Sequence, residues 1–142
     1  MKRIEIKWSY PIEIDSAWNS DDSYGQGIYQ ITRLYRGIEP LYYVGLVKSH
    51  NRDFYKRINE HRSWIQETKG IMKIRFGKIV PKRGLQHVGT LIETIEGVLI
   101  FEHSPIKNKA KQSSYTIHHD VYITNIGYRG HMKKEICSND HL

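Results

Sequence analysis

Apolar and polar residues alternate at Ile4, Ile6 and Trp8, which predicts a strand over residues 4–8. An acidic, polar loop with Asp15, Asp21 and Asp22 follows. Two tyrosine-rich apolar runs, 27–35 and 41–47, flank Arg36-Gly37-Ile38-Glu39-Pro40, and such a connector predicts an antiparallel hairpin. At Asn51-Arg52-Asp53-Phe54 an N-cap residue and an acid in the first turn open a helix over 52–68. Phe54, Ile58 and Ile65 share one face of that helix, and Gly70 ends it. Residues 71–80 read as a strand closed by Pro81. From 85 to 102, Leu85, Val88, Leu91, Ile92, Ile95 and Leu99 form a broad helical stripe. Ser104-Pro105 stops it, because proline disfavours helical geometry in the residue before it. After a basic loop with Lys107, Lys109 and Lys111, the residues Tyr115, Ile117, His119, Val121 and Ile123 predict a last strand before a turn at Gly127. The predicted order is β-ββ-α-β-α-β, an α+β fold with a small mixed, largely antiparallel sheet flanked by helices.

No repeat, low-complexity tract or linker divides the chain, and 142 residues fit one domain. A net charge of +7 favours a polyanionic partner through counterion release, and nucleic acid is the commonest such partner. The single cysteine, Cys137, rules out an internal disulfide and a cysteine-based zinc cluster. Charges at Lys2, Arg3, Glu5 and Lys7 interrupt the apolar run a signal peptide requires. The longest apolar stretch, residues 98–101, is far short of a membrane span, so a cytoplasmic location is expected.

The candidate chemistry lies in three places. Gly27-Ile28-Tyr29 and Tyr43-Val44-Gly45 sit on consecutive hairpin strands, where two phenols can face one phosphate or simply fill the core. Arg57 and His61, four residues apart on the next helix, project about 40° apart from one face. Arginine holds phosphate through a permanent, forked charge, and histidine moves protons near neutrality. Glu96 lies between Ile92 and Ile100 on the helical wheel, at the rim of the apolar stripe. A half-buried carboxylate there is costly unless a cation or donor meets it, and a divalent metal is one such cation. Glu93 should point further toward solvent, and Glu102 should lie where the helix frays before Pro105. His118 and His119, on opposite faces of the last strand, make a poor joint metal site.

The paired motif resembles the one that names the GIY-YIG nucleases, with Val44 for the usual isoleucine. Glu96-x3-Ile100-x4-Pro105-x2-Asn108 resembles that family's closing segment, a metal-binding helical Glu twelve positions before an Asn. The resemblance runs from Gly27 to Asn108, and the spacings are most similar to the family's compact restriction endonucleases. It implies one nuclease domain over 1–142, with a core at 27–108, an N-terminal extension at 1–26 and a C-terminal tail at 109–142. It further implies a metal-dependent endonuclease acting on DNA phosphodiesters, with Tyr29, Tyr43, Arg57, His61, Glu96 and Asn108 in the site. In that reading Glu96 holds one Mg²⁺ or Mn²⁺, and Arg57 and Tyr43 donate to phosphate oxygens. Tyr29 or His61 is the base. Lys48, Arg52, Lys107 and Lys109 would contact nucleic acid. A nonenzymatic nucleic-acid-binding module and a nuclease for RNA or branched DNA are the alternatives. Monomer and homodimer both stay open.

Overall fold

Two hydrophobic layers on opposite faces of one sheet organise the chain. The computed structural model describes residues 1–19, 27–47, 54–80, 89–112 and 114–141. Among the described residues the sheet has seven strands: β1 (Lys2–Trp8), β2 (Ile12–Glu13), β3 (Gly27–Leu34), β4 (Leu41–Val47), β5 (Ile71–Val80), β6 (Val121–Gly127) and β7 (Glu135–Cys137). Six of them run in the order β4-β3-β5-β1-β6-β7, and β2 adds to β5 beside β1. All described pairings are antiparallel except β1 with β6, which makes a mixed, mostly antiparallel α+β architecture. The β3–β4 hairpin turns at Arg36-Gly37, both with positive φ (54° and 78°), and Tyr35 and Ile38 exchange backbone hydrogen bonds across it.

Helix α3 (Gly89–His103) covers one face, where Leu91, Ile92, Ile95, Leu99 and Ile100 pack on Ile4, Ile6, Ile28 and Ile123. The short helices α1 (Phe54–Glu60) and α2 (Arg62–Glu67) cover the other, where Phe54, Ile58 and Ile65 pack on Tyr29, Ile31, Ile74 and Phe76. Strand β3 serves both layers because successive side chains alternate: Ile28 faces α3 and Tyr29 faces α1. No described helix is long and apolar enough to cross a membrane.

The structure departs from the sequence reading in four ways. The helix expected over 52–68 is broken at His61, whose N–H bonds the Ile58 carbonyl three residues back. Strands β2 and β7 are too short to give a period of two. The last strand starts at Val121 rather than near Tyr115, so His118 and His119 lie outside it. Glu102 does not lie in a frayed turn: the helix continues to His103, and the Glu102 carboxylate is held by Lys133 and by His141 Nε2 at 2.7 Å. The flanks outside 27–108 are also built into the sheet, since β1 lies between β5 and β6. The expected N-cap Asn51, the stop at Pro81 and the start of the second helix at 85–88 fall outside the described residues.

Candidate functional site

The two glycines of the hairpin motif are demanded by packing. Tyr29 pairs across the strands with Gly45, and its ring lies directly over that residue. A Cβ at Gly45 would stand 2.3 Å from both Cζ and Oη of Tyr29. A Cβ at Gly27 would stand 2.4 Å from the Gly77 carbonyl oxygen on β5. The middle residues, Ile28 and Val44, belong to the opposite layer, beneath α3. The Gly27-Ile28-Tyr29 and Tyr43-Val44-Gly45 pattern therefore describes one phenol laid across a bare backbone.

Around that phenol the helical layer supplies polar groups. Tyr29 Oη and His61 Nε2 are 2.8 Å apart. Trp64 Nε1 donates to the other ring nitrogen, His61 Nδ1, at 3.0 Å. The His61 ring packs edge-on against Tyr43, with centroids 5.0 Å apart, and the Tyr29 and Tyr43 centroids are 6.0 Å apart. The chain break at His61 turns its ring toward the hairpin while Phe54 and Ile58 stay buried beneath. Arg57 pairs with Glu60 at 2.9 Å, and its side chain is 35% exposed, so this guanidinium is open to solvent.

Electrostatics tie these groups together. Burial first, then the Tyr43 phenol, push the Tyr29 pKa well above the ordinary value, while Arg57 pulls it back. Burial opposes the charge on Arg57, yet Tyr29, Glu60 and Tyr43 together hold it protonated more firmly than usual. Burial and then Arg57 lower His61 to about 4, so the ring is neutral near pH 7. Glu96 is near enough for its charge to act on Tyr29 and for Arg57 to act on it. The hairpin and the α1–α2 break thus meet at one locus, and Glu96 on α3 lies within electrostatic reach of it.

Two residues that resemble the closing segment have defined partners. Glu96, on α3, takes the Lys111 ammonium on Oε1 at 2.7 Å, and burial still raises its carboxyl pKa. Lys111 reaches it from a backbone with φ of 70°. Asn108 is buried and binds Val44 twice, accepting from its N–H and donating to its carbonyl, both at 2.8 Å. With the Lys107 N–H bonded to the Tyr42 carbonyl at 2.7 Å, this segment runs along the outer edge of β4. Asn108 thereby pins the strand between Tyr43 and Gly45, and its amide is spent on that backbone.

Lys107 is exposed, with its ammonium 5.6 Å from the Trp64 ring centroid, and Lys109 is exposed beyond it. Lys48 and Arg52 lie outside the described residues. Sequence reasoning missed Trp64 and the pairing role of Lys111. Trp64 was findable as the aromatic three residues after His61, whereas nothing in the sequence ties Lys111 to Glu96 across a loop.

Tyr29 is sealed from solvent, with no exposed surface, whereas Arg57 is partly exposed. Among the described residues no three His, Cys, Asp or Glu side chains gather as a metal cage. Glu96, half-buried and with a raised carboxyl pKa, is a hard oxygen ligand of the kind Mg²⁺ or Mn²⁺ takes, and here the Lys111 ammonium fills that place. A cavity of about 440 Å³ lies elsewhere, between α2 and the start of β5, lined by Glu13, Asp15, Ile65, Thr68 and Met72. No family model, curated protein or solved structure matches this chain.

Proposed function

We propose that this protein is a GIY-YIG-type endonuclease that hydrolyses DNA phosphodiester bonds with the help of one Mg²⁺ or Mn²⁺. The observation that carries the reading is the meeting of Tyr29, Tyr43, Arg57 and His61 at one locus within electrostatic reach of Glu96. These are the residues the motif resemblance selects, from β3, β4 and the α1–α2 pair, with Glu96 further along the chain on α3.

Arg57, charged and partly exposed, would bind a nonbridging phosphate oxygen and offset charge growing there. Tyr43 would donate its hydroxyl to the same group. Tyr29 would take the proton of the attacking water as the phenolate, having released its own proton to solvent once the site opens, with Arg57 offsetting the charge that burial opposes. Glu96 would hold the metal ion after exchanging its Lys111 partner. A bound Mg²⁺ or Mn²⁺ supplies charge neutralisation at the phosphate and the leaving oxygen. Asn108 holds β4, and so Tyr43, in place. Lys48, Arg52, Lys107 and Lys109 would track flanking phosphates.

Two observations favour a second reading, a nonenzymatic nucleic-acid-binding module on this fold: the Tyr29 hydroxyl is sealed, and Glu96 is already neutralised by Lys111. Supercoiled plasmid, with RNA and branched duplexes in parallel, separates the two. Nicking or linearisation with Mg²⁺ or Mn²⁺, silenced by chelator, supports the nuclease. Binding without any cut supports the module, and cleavage undiminished in excess chelator removes the metal from the scheme.

A further inference from the structure

We propose that Trp64 is a positioning residue that decides which nitrogen of His61 carries the proton, making His61 a donor to the Tyr29 oxygen rather than the acceptor of its proton. The catalytic consequence rests on the nuclease reading above, whereas the tautomer itself follows from geometry.

An indole has one N–H and no acceptor, so its 3.0 Å contact with His61 Nδ1 requires a lone pair on that nitrogen. A neutral imidazole carries a single N–H, which is therefore on Nε2. Nε2 stands 2.8 Å from the Tyr29 oxygen. The imidazole donates and the phenol oxygen accepts. The doubly protonated ring is incompatible with the indole donor, and burial with the Arg57 charge independently keeps the ring neutral.

The indole is held for this task. It lies in α2, three residues past the helix break, with its ring centroid 5.2 Å from that of His61. Tyr43 and Tyr42 flank it at 5.6 and 6.0 Å, and the Lys107 ammonium lies over its face. With Nε2 occupied by its own hydrogen, the Tyr29 proton has no route to His61. His61 and Arg57 both favour electron density on the phenolic oxygen, and His61 is a charge stabiliser instead of a base. Trp64 touches no reacting atom in this scheme and acts only through His61.

The test uses the ¹⁵N-labelled full chain and long-range ¹H–¹⁵N correlation of its imidazoles at neutral pH, with His61 assigned by its loss in His61→Gln. The wild type should show His61 as the Nε2–H tautomer alone. Trp64→Phe keeps an aromatic ring but has no N–H, and should give a mixture or the Nδ1–H form. In Tyr29→Phe, which leaves the indole intact, the Nε2–H form should persist. Cleavage by Trp64→Phe should fall roughly tenfold in kcat, the worth of one hydrogen bond, with KM nearly unchanged. An Nδ1–H ring in the wild type overturns the proposal, as does an unchanged tautomer in Trp64→Phe. A changed tautomer with undiminished kcat overturns the positioning role. If the wild type cuts nothing, the nuclease reading and this catalytic consequence fall together, while the spectra still decide the tautomer.

Discussion

A single hydroxyl separates a core tyrosine from a reacting one, and Tyr29 has features of both. It is wholly buried, yet its oxygen meets His61 and feels Arg57 and Glu96. Tyr29→Phe should cost on the order of 1 kcal/mol of stability whichever role it has. As a general base its loss should lower the cleavage rate about a hundredfold or more, read by plasmid nicking beside thermal melting of the same preparation. Native-like cleavage would return Tyr29 to the core. Tyr43→Phe should be milder, because water can partly replace a phosphate donor. Gly45→Ala is a sharper probe of position: the new methyl overlaps the Tyr29 phenol, so about 1–3 kcal/mol of overpacking and a displaced hydroxyl should emerge together. Glu96→Gln and Arg57→Ala should abolish cutting with the fold kept, and Glu93→Gln should retain most activity. A dead Glu93→Gln would mean that Glu93 rather than Glu96 holds the metal.

At the scale of elements, the edge of β4 and the break between α1 and α2 control the site. Asn108→Ala leaves the Val44 N–H and carbonyl without their partners and frees the strand that carries Tyr43. Roughly 2–4 kcal/mol of lost stability is expected from two stranded backbone groups, measured by chemical denaturation. The break half-buries His61 beside charged Arg57, and that burial first, then the Arg57 charge, with Glu60 opposing, lowers its pKa from 6.5 to about 4. Between those values the unfolded chain binds a proton that the folded chain refuses. This contribution is therefore fully present above pH 6.5 and is lost as pH falls toward 4. His103 and His119 are shifted in the same direction, so the wild type must be compared with His61→Gln. The variant should lose less stability over that window. An equal loss would show that His61 has no part in it.

Over the whole molecule, a charge of +7 should make the logarithm of nucleic-acid affinity fall linearly with the logarithm of salt concentration. Lys107 is exposed beside Trp64, and Lys109, two residues on, is exposed as well. Lys107→Ala with Lys109→Ala should therefore flatten that slope by about 0.9 for each phosphate the two lysines neutralise. Fluorescence anisotropy across a salt series reads this directly. An unchanged slope would move the nucleic-acid path away from these two lysines.

The β3–β4 hairpin, strand β5 and the first strand were legible in the sequence because they rest on local rules: alternation of apolar residues and turn chemistry at Arg36-Gly37. So was α3, whose apolar stripe and Ser104-Pro105 stop are both local. The residues proposed to share one site could also be named, since the spacings of Arg57 with His61 and of Glu96 with Asn108 are matters of sequence. Tertiary structure alone decided the rest. The central place of β1 depends on pairing with β5 and β6, strands distant along the chain. The break at His61 interrupts a continuous apolar stripe so that the ring can reach Tyr29. Lys111 on Glu96, Asn108 on Val44 and Trp64 on His61 join side chains to partners whose separation is set by the folded backbone. Local periodicity specifies which way a residue faces, but only the packed chain determines what it meets there.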